Sequence, residues 1–414
     1  MIRKFFNQLT YPGAVRRFVL AGIITGVTFF ILQKYHQRDA LADFRVYYDA
    51  CNTWLRGESP YGQAFGISSG YYKYSPSALI PFSLLVWMPY DLAAGNYYFL
   101  ILAALILFSV IVVLFIEKQF ALPSSKRGWI LTLSTIFLAD HFERELHLGN
   151  VNAFLLITVF VLYQAIRKEK MMLAGLLYAC ILLFKPHFLI LFPYFIWHKN
   201  QRLLAYTLVG ITAGFLLPAI ISGWNANIRN HLDWITAMQV HNLELTGSPN
   251  TIYGIVNGWI LERLGIQGGL WLIALLLICA MVWFLYILRF NRIHADDRDR
   301  IFFIELFILV ALIPNLTHTD TEHFMWSWLL IVFIISLLFY KSSKWRWLYI
   351  MLMLLVFVPY TLNSPDIVGR RAMLLFDSGG LLGMANLLII LIAVKLFSLS
   401  ADTNFRSVTE LPVD

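Results

Sequence analysis

The sequence predicts an all-α polytopic membrane protein, and three observations carry that expectation. Only 14% of the 414 residues are charged and 59% are hydrophobic, against about 25% charged in an ordinary soluble domain. The mean hydropathy of +0.68 implies more apolar surface than a water-soluble fold of this length can hide. Uncharged apolar runs recur along the chain, separated by basic linkers. An ordinary cytosolic enzyme, a disordered chain and a disulfide-stapled secreted module are thereby excluded, while transporters, channels and membrane enzymes remain. The net charge of +8 points to positive cytoplasmic loops, with the lipid bilayer and not nucleic acid as partner. Cys51, Cys180 and Cys279 have no spacing for a disulfide framework or a metal site.

The elements follow in order from the runs. A bilayer core of about 30 Å needs roughly 20 apolar helical residues. Arg3, Lys4, Arg16 and Arg17 precede the first run, 18–33, and no small-residue cleavage site follows it, as in a retained signal anchor. Further runs lie at 77–90, 92–116, 128–139, 150–166, 171–184, 186–197, 203–222, 269–288, 324–340, 347–361 and 379–394, and another at 301–316 carries Glu305. Several are short and must be tilted, broken or buried by neighbours. Five basic linkers, marked by Lys118, Arg167, Lys199, Arg289 and Lys341, are placed in the cytoplasm with the N-terminus. Thirteen full crossings cannot satisfy this, because 18–33, 77–90 and 92–116 would put the 117–127 loop outside. Either one piece between 77 and 116 is partial or that loop faces out, so 12 or 13 spans are expected. Residues 1–397 read as a single integral domain and 398–414 as a polar tail.

The long outer segments, 34–76 and 223–268, read as amphipathic helix plus loop. Phe44, Tyr48, Cys51 and Leu55 recur on one helical face, and such a helix would rest on the outer membrane surface. Ile228, Leu232, Ile235 and Met238 make a similar stripe, which Gly247, Ser248, Pro249 and Asn250 end.

The polar residues gather at the outer rim, whereas a transporter would be expected to keep them along a path inside the spans. Asp43, in ADFRVYYDA, is a candidate general base for a hydroxyl nucleophile, or a helix N-cap. Lys185, in LLFKPHF, sits at a break made by Pro186. An ammonium at membrane depth needs a partner or a cavity: a phosphate would serve, as would a carboxylate, and His187 beside it is a ligand or a packed imidazole. NLTHTDTEHFMW sets His318, Asp320, Glu322 and His323 in one outer turn. The i, i+5 spacing of the two histidines disfavours a metal site on one helical face, and leaves phosphate binding or a solvated turn. In DHFERELHLGNVN, Arg144 can grip a phosphate or close a salt bridge, and Asn150 and Asn152 line a cavity or bond a neighbouring helix. Tyr71, Tyr72 and Tyr74 suit sugar rings or an interfacial belt.

In order, these motifs resemble glycosyltransferase family 87, within the GT-C superfamily of membrane glycosyltransferases. They are the DF-x-x-YY-x-A helix, the turn of Gly57, Pro60 and Tyr61, Tyr74 before Pro76, GNVN at 149–152, AGLLYACILLFKPHFL at 174–189, SPNTIYGIVN at 248–257 and HFMW at 323–326. The resemblance covers about 40–345. It implies a GT-C-like bundle, no cofactor, a polyprenyl-phosphate sugar donor (mannose in the family) and a lipid- or glycan-linked hydroxyl acceptor. It also implies transfer with inversion at the outer, periplasmic side of the inner membrane. Asp43 matches the family's general base. Lys185 and His323, with Arg144, would meet the donor phosphate. Tyr47, Tyr74, Asn150, Asn152, His187, Asn250 and His318 would line the substrates. A lipid monophosphate needs less charge neutralisation than a nucleotide diphosphate, so no obligatory metal is expected. Three departures bear on sugar and acceptor more than on reaction type: Asn150 stands where Gln is usual, Pro249–Ile252 replace N-Q-S-L, and Ser75 replaces a proline. The rival readings are a lipid-linked sugar flippase or transporter, and a GT-C polymerase or ligase of surface glycans.

Overall fold

The structure, a computed structural model, describes residues 13–36, 41–65, 70–243, 248–261, 298–317, 320–340 and 345–402. The run 269–288 with Cys279, the linker residues Arg289, Arg292, Lys341 and Lys344, the N-terminal Arg3 and Lys4, His318 and the tail from 403 lie outside the described residues. Almost everything described is helical, as the apolar runs require. The helices are α1 (Ala14–Tyr35), α2 (Ala42–Leu55), α3 (Tyr90–Gln119), α4 (Arg127–Phe137), α5 (Ala139–Leu148), α6 (Asn152–Arg167), α7 (Met171–Phe184) and α8 (Leu191–Trp197). They continue with α9 (Gln201–Leu216), α10 (Trp224–Leu243), α11 (Arg298–Leu316), α12 (Trp328–Tyr340), α13 (Arg346–Thr361), α14 (Arg370–Ser378) and α15 (Leu381–Asp402). Two two-residue strands, β1 (Ala64–Phe65) and β2 (Gly70–Tyr71), pair antiparallel with Ala64 opposite Tyr71.

Five described helices are long and apolar enough to cross a membrane: Ala14–Tyr35, Tyr90–Gln119, Gln201–Ser222, Thr321–Tyr340 and Leu381–Leu399. The bent pair α5 and α6 makes a sixth if taken as one span. The expectation of 12 or 13 counted apolar runs, and proline breaks several of them. The run 77–90 forms only the turns Pro76–Leu79 and Ile80–Ser83, since Pro76, Pro81 and Pro89 each remove a backbone donor. A partial piece between 77 and 116 is one of the two alternatives that the loop charges left open. The runs 171–184 and 186–197 give α7, of 14 residues, and a 3₁₀ turn (Pro186–Ile190) leading into α8.

The chain divides into two compact units. The first comprises Met1–Val113, Arg127–Gly247 and His318–Trp326, in their described residues. In it α2 does not rest on a membrane surface. Phe44 and Cys51 are wholly buried, but so are Tyr47, Ala50 and Trp54, and Leu55 is exposed. The buried face is wider than the apolar stripe and packs on the strands, on α5 and on the Ile80–Ser83 turn. Helix α10 is the reverse. Its stripe of Ile228, Leu232 and Ile235 is exposed, and the buried side is polar, with Asn227, Asn230 and His231. An apolar face turned outward is stable where the surrounding medium is itself apolar. Helix α1 shows the same signature, with Ile24 and Ile31 exposed.

The second unit comprises Leu114–Lys126, Ser248–Thr317 and Ser327–Asp414, in their described residues. Its centre is α12, in which Trp328 to Leu337 are all buried; a helix apolar on every side belongs inside. Phe333 meets Phe120 at 4.8 Å, and α11, α13 and α15 surround it.

Candidate active site

The site is assembled in the first unit from three chain breaks. The first is the start of α2. Its N-cap is Leu41, in the left-handed region at φ 39°, so Asp43 stands in the first helical turn and is not the cap. A carboxylate is favoured there by the helix dipole. Its Oδ2 accepts a hydrogen bond from Asn150 Nδ2 at 2.6 Å.

The second break is the turn between α5 and α6, which meet at 114°. Gly149 makes it possible twice over. Its φ of 69° is the left-handed conformation, and a Cβ there would lie 2.8 Å from Phe44 Cβ on α2. Asn150 Oδ1 accepts from Val151 N at 2.7 Å, which fixes the amide and turns Nδ2 toward Asp43, with Glu322 Oε1 at 3.5 Å. Asn152, wholly buried, opens α6 and donates from Nδ2 to Glu145 Oε2 at 3.2 Å.

The third break is the end of α7. Pro186 disfavours a helical conformation for the residue before it, and Lys185 is extended at φ −135°. Its buried ammonium donates to Asn152 Oδ1 at 2.7 Å and meets His323 Nε2. His323 Nδ1 lies 3.1 Å from Asp320 O. A carbonyl only accepts, so Nδ1 carries the proton and Nε2 offers its lone pair to the ammonium. The Lys185 Nζ lies 5.6 Å from the Trp326 ring centroid and 5.9 Å from that of Tyr74, within cation–π range.

Asp320, Glu322 and His323 offer ligand atoms within 4.8 Å of one another, a group that can hold a metal ion. Both imidazole nitrogens are engaged, however, one by the Asp320 carbonyl and one by the ammonium. A metal bound at His323 would have to displace one of them. Burial pushes the Asp43 carboxyl up to about 6, with the Lys185 ammonium opposing that rise. The group is therefore a proton acceptor matched to near-neutral pH.

The model of glycosyltransferase family 87 matches residues 72–315, more than half of the chain. The chain belongs to glycosyltransferase family 87. Glycosyl transfer between a donor and an acceptor is what membership carries. No curated protein and no solved structure matches the chain. Tyr74, Arg144, Asn150, Asn152, Lys185, His187 and Asn250 fall inside the family 87 match; Asp43, Tyr47, His318 and His323 fall outside it.

In this family 87 chain Asp43 with Asn150, and Asn152 with Lys185 and His323, form two hydrogen-bonded groups joined by the turn 149–152. Tyr47 and Tyr74 adjoin them, their hydroxyls 3.0 Å apart. Tyr61, the tyrosine of the Gly-x-x-Pro-Tyr turn, donates to the Tyr74 carbonyl at 2.8 Å, and Ser75 N donates to Leu183 O at 3.3 Å, which ties this segment to the end of α7. Arg144 pairs with Asp140 at 3.1 Å on α5, the salt bridge weighed as its alternative. His187 is half-buried in the 3₁₀ turn after Lys185. Asn250 belongs to the second unit, where its Oδ1 accepts from Gly383 N at 3.1 Å and its carbonyl from Asn315 Nδ2 at 3.1 Å. His318 lies outside the described residues. Sequence reasoning gave no individual role to Glu145, Trp326 or Glu322, the last named only as part of the 318–323 turn. All three stand inside the quoted motifs, but charge and aromaticity alone did not separate them from loop residues.

Proposed function

We propose that the chain transfers a hexose, mannose by family resemblance, from a polyprenyl-phosphate donor to a hydroxyl acceptor at the outer face of the inner membrane. The observation that carries this reading is the turn 149–152. Its first amide holds the Asp43 carboxylate and its second the Lys185 ammonium, which sets a base and a phosphate-binding cation side by side.

Asp43 takes the acceptor's hydroxyl proton as the oxygen bonds to the anomeric carbon. The bond from that carbon to the phosphate oxygen breaks, and its electron pair leaves with the lipid phosphate. Attack from the face opposite the phosphate inverts the centre, so a β-linked donor gives an α product. Two of the three ammonium protons of Lys185 are held by Asn152 and His323, and the third serves the departing phosphate. Stabilising charge that develops on the leaving group is the largest single contribution in most such sites. The ring of Tyr74, with Tyr47 behind it, suits a sugar face. Each proton in this scheme has an owner among the chain's own side chains, and no step needs a metal.

The test is transfer from a labelled lipid-phosphate sugar by purified protein in detergent. Wild type is expected to form product and Asp43→Asn to form almost none. Near-wild-type turnover by Asp43→Asn would sink the assignment of the base.

A further inference from the structure

Glu145 is wholly buried in α5 and has no role in the scheme above. A buried carboxylate is costly unless something needs it. Its two oxygens point at one target, the first turn of α6. Oε1 accepts from Ala153 N at 2.7 Å and Oε2 from Asn152 Nδ2 at 3.2 Å.

The second contact has a directional consequence. A carboxylate only accepts, so it must face the NH₂ side of Asn152. That leaves Asn152 Oδ1 on the other side of the amide, where the Lys185 ammonium donates to it at 2.7 Å. Reversed, the amide would present its NH₂ to an ammonium, donor against donor. We infer that Glu145 is the positioning residue of the site: it sets the orientation of Asn152, and Asn152 in turn holds Lys185 where it meets the donor phosphate. The inference rests on the proposed transfer for its catalytic meaning, and on the three contacts alone for the chain itself.

An isosteric swap tests it. In Glu145→Gln the backbone N–H of Ala153 claims the remaining oxygen, so the new NH₂ faces the NH₂ of Asn152. The amide reverses and Lys185 loses its acceptor. In Glu145→Gln/Asn152→Asp the carboxylate has moved one place along the chain. It accepts from Gln on one side and from Lys185 on the other, at unchanged net charge. In Asn152→Asp alone two carboxylates face each other.

Each single variant is expected to lower kcat on the order of tenfold or more, the scale of an unmade buried hydrogen bond, with a small change in KM for the acceptor. The double variant is expected to return to within a few-fold of wild type. Restored turnover is a readout that loss of packing would not give. Full activity of Glu145→Gln, or a double variant no better than the singles, overturns the inference. Thermal unfolding of the same four proteins separates its failure from failure of the functional reading. If wild type transfers no sugar, the functional reading falls. The hydrogen-bond chain is then judged on Tm: recovery in the double variant supports it and absence of recovery overturns it.

Discussion

Among the described residues, one hydrogen-bonded polar cluster of each unit invites comparison, and the two are built on opposite rules. The cluster of the second unit is neutral. Asn386 Nδ2 donates to Ala311 O and to Asn315 Oδ1, both at 2.7 Å, its Oδ1 accepts from Tyr360 and Ser327, and Asn315 Nδ2 donates on to Asn250 and Gly383 carbonyls. Donors meet acceptors within it, the arrangement that fixes helices against one another. The cluster of the first unit is ionic: Asp43, Glu145 and Glu322 stand around the single ammonium of Lys185. Burying such charge is unfavourable, and a fold keeps it where chemistry uses it. On the proposed reading the closed neutral network holds the structure and the charged one carries function.

That contrast can be broken by substitution. The largest effect is expected from Asp43→Asn: transfer falls about 10²–10⁴-fold, the range for loss of a general base, while Tm holds or rises. The rise has a definite sign. Folding lifts this carboxyl from 3.8 to about 6, so it costs stability at pH above that window, and a neutral amide removes the cost. A Tm that falls steeply would place Asp43 with the structural cluster instead. Lys185→Met is next, at about 10²–10³-fold in kcat, the size of removing one group that stabilises transition-state charge. In wild type, kcat/KM is expected to rise with pH through about 6 as Asp43 deprotonates, and to fall about tenfold for each unit below it; a profile flat from pH 5 to 7 would contradict the base. The smallest effect on turnover belongs to Asn386→Leu. It takes the Asn386 donor from Asn315 Oδ1 and the Asn386 acceptor from the Ser327 and Tyr360 hydroxyls, costs about 1–3 kcal/mol for each buried group left unmade, and leaves kcat unchanged in the protein that remains folded. Loss of kcat without loss of Tm would show that the neutral cluster also serves the reaction.

The same contrast explains what the sequence could disclose. Chemistry that is tied to a local break was legible. Pro186 announced that Lys185 stands at an interrupted helix, Gly149 and Asn150 announced a turn, and Asp43 stood at the start of an amphipathic helix; these three breaks supply the candidate site. The depth of α2 was not legible, because Tyr47, Ala50 and Trp54 are buried by the strands and by α5, partners that one-dimensional periodicity does not contain. Helix α10 stands where the stripe predicted an amphipathic helix, but a stripe shows only which face is apolar, and the surrounding medium decides whether that face turns in or out. Apolar runs such as 77–90 and 186–197 do not each form one long helix where they meet proline, since hydropathy averages over residues that cannot share one helix. Glu145 drew no role from the sequence because the role proposed for it is to orient Asn152, a relation among side chains that only the fold brings together.

One atom's absence ties these parts together. Gly149 lets α2 approach until only hydrogen fits between the turn and Phe44, and Asp43 is the residue before Phe44. The approach of Asp43 to the turn that holds Lys185 is thus gauged by a missing methyl group. A side chain at that one position would act as a shim, prising the helix that carries Asp43 off the turn whose Asn152 amide holds Lys185, while leaving both side chains intact.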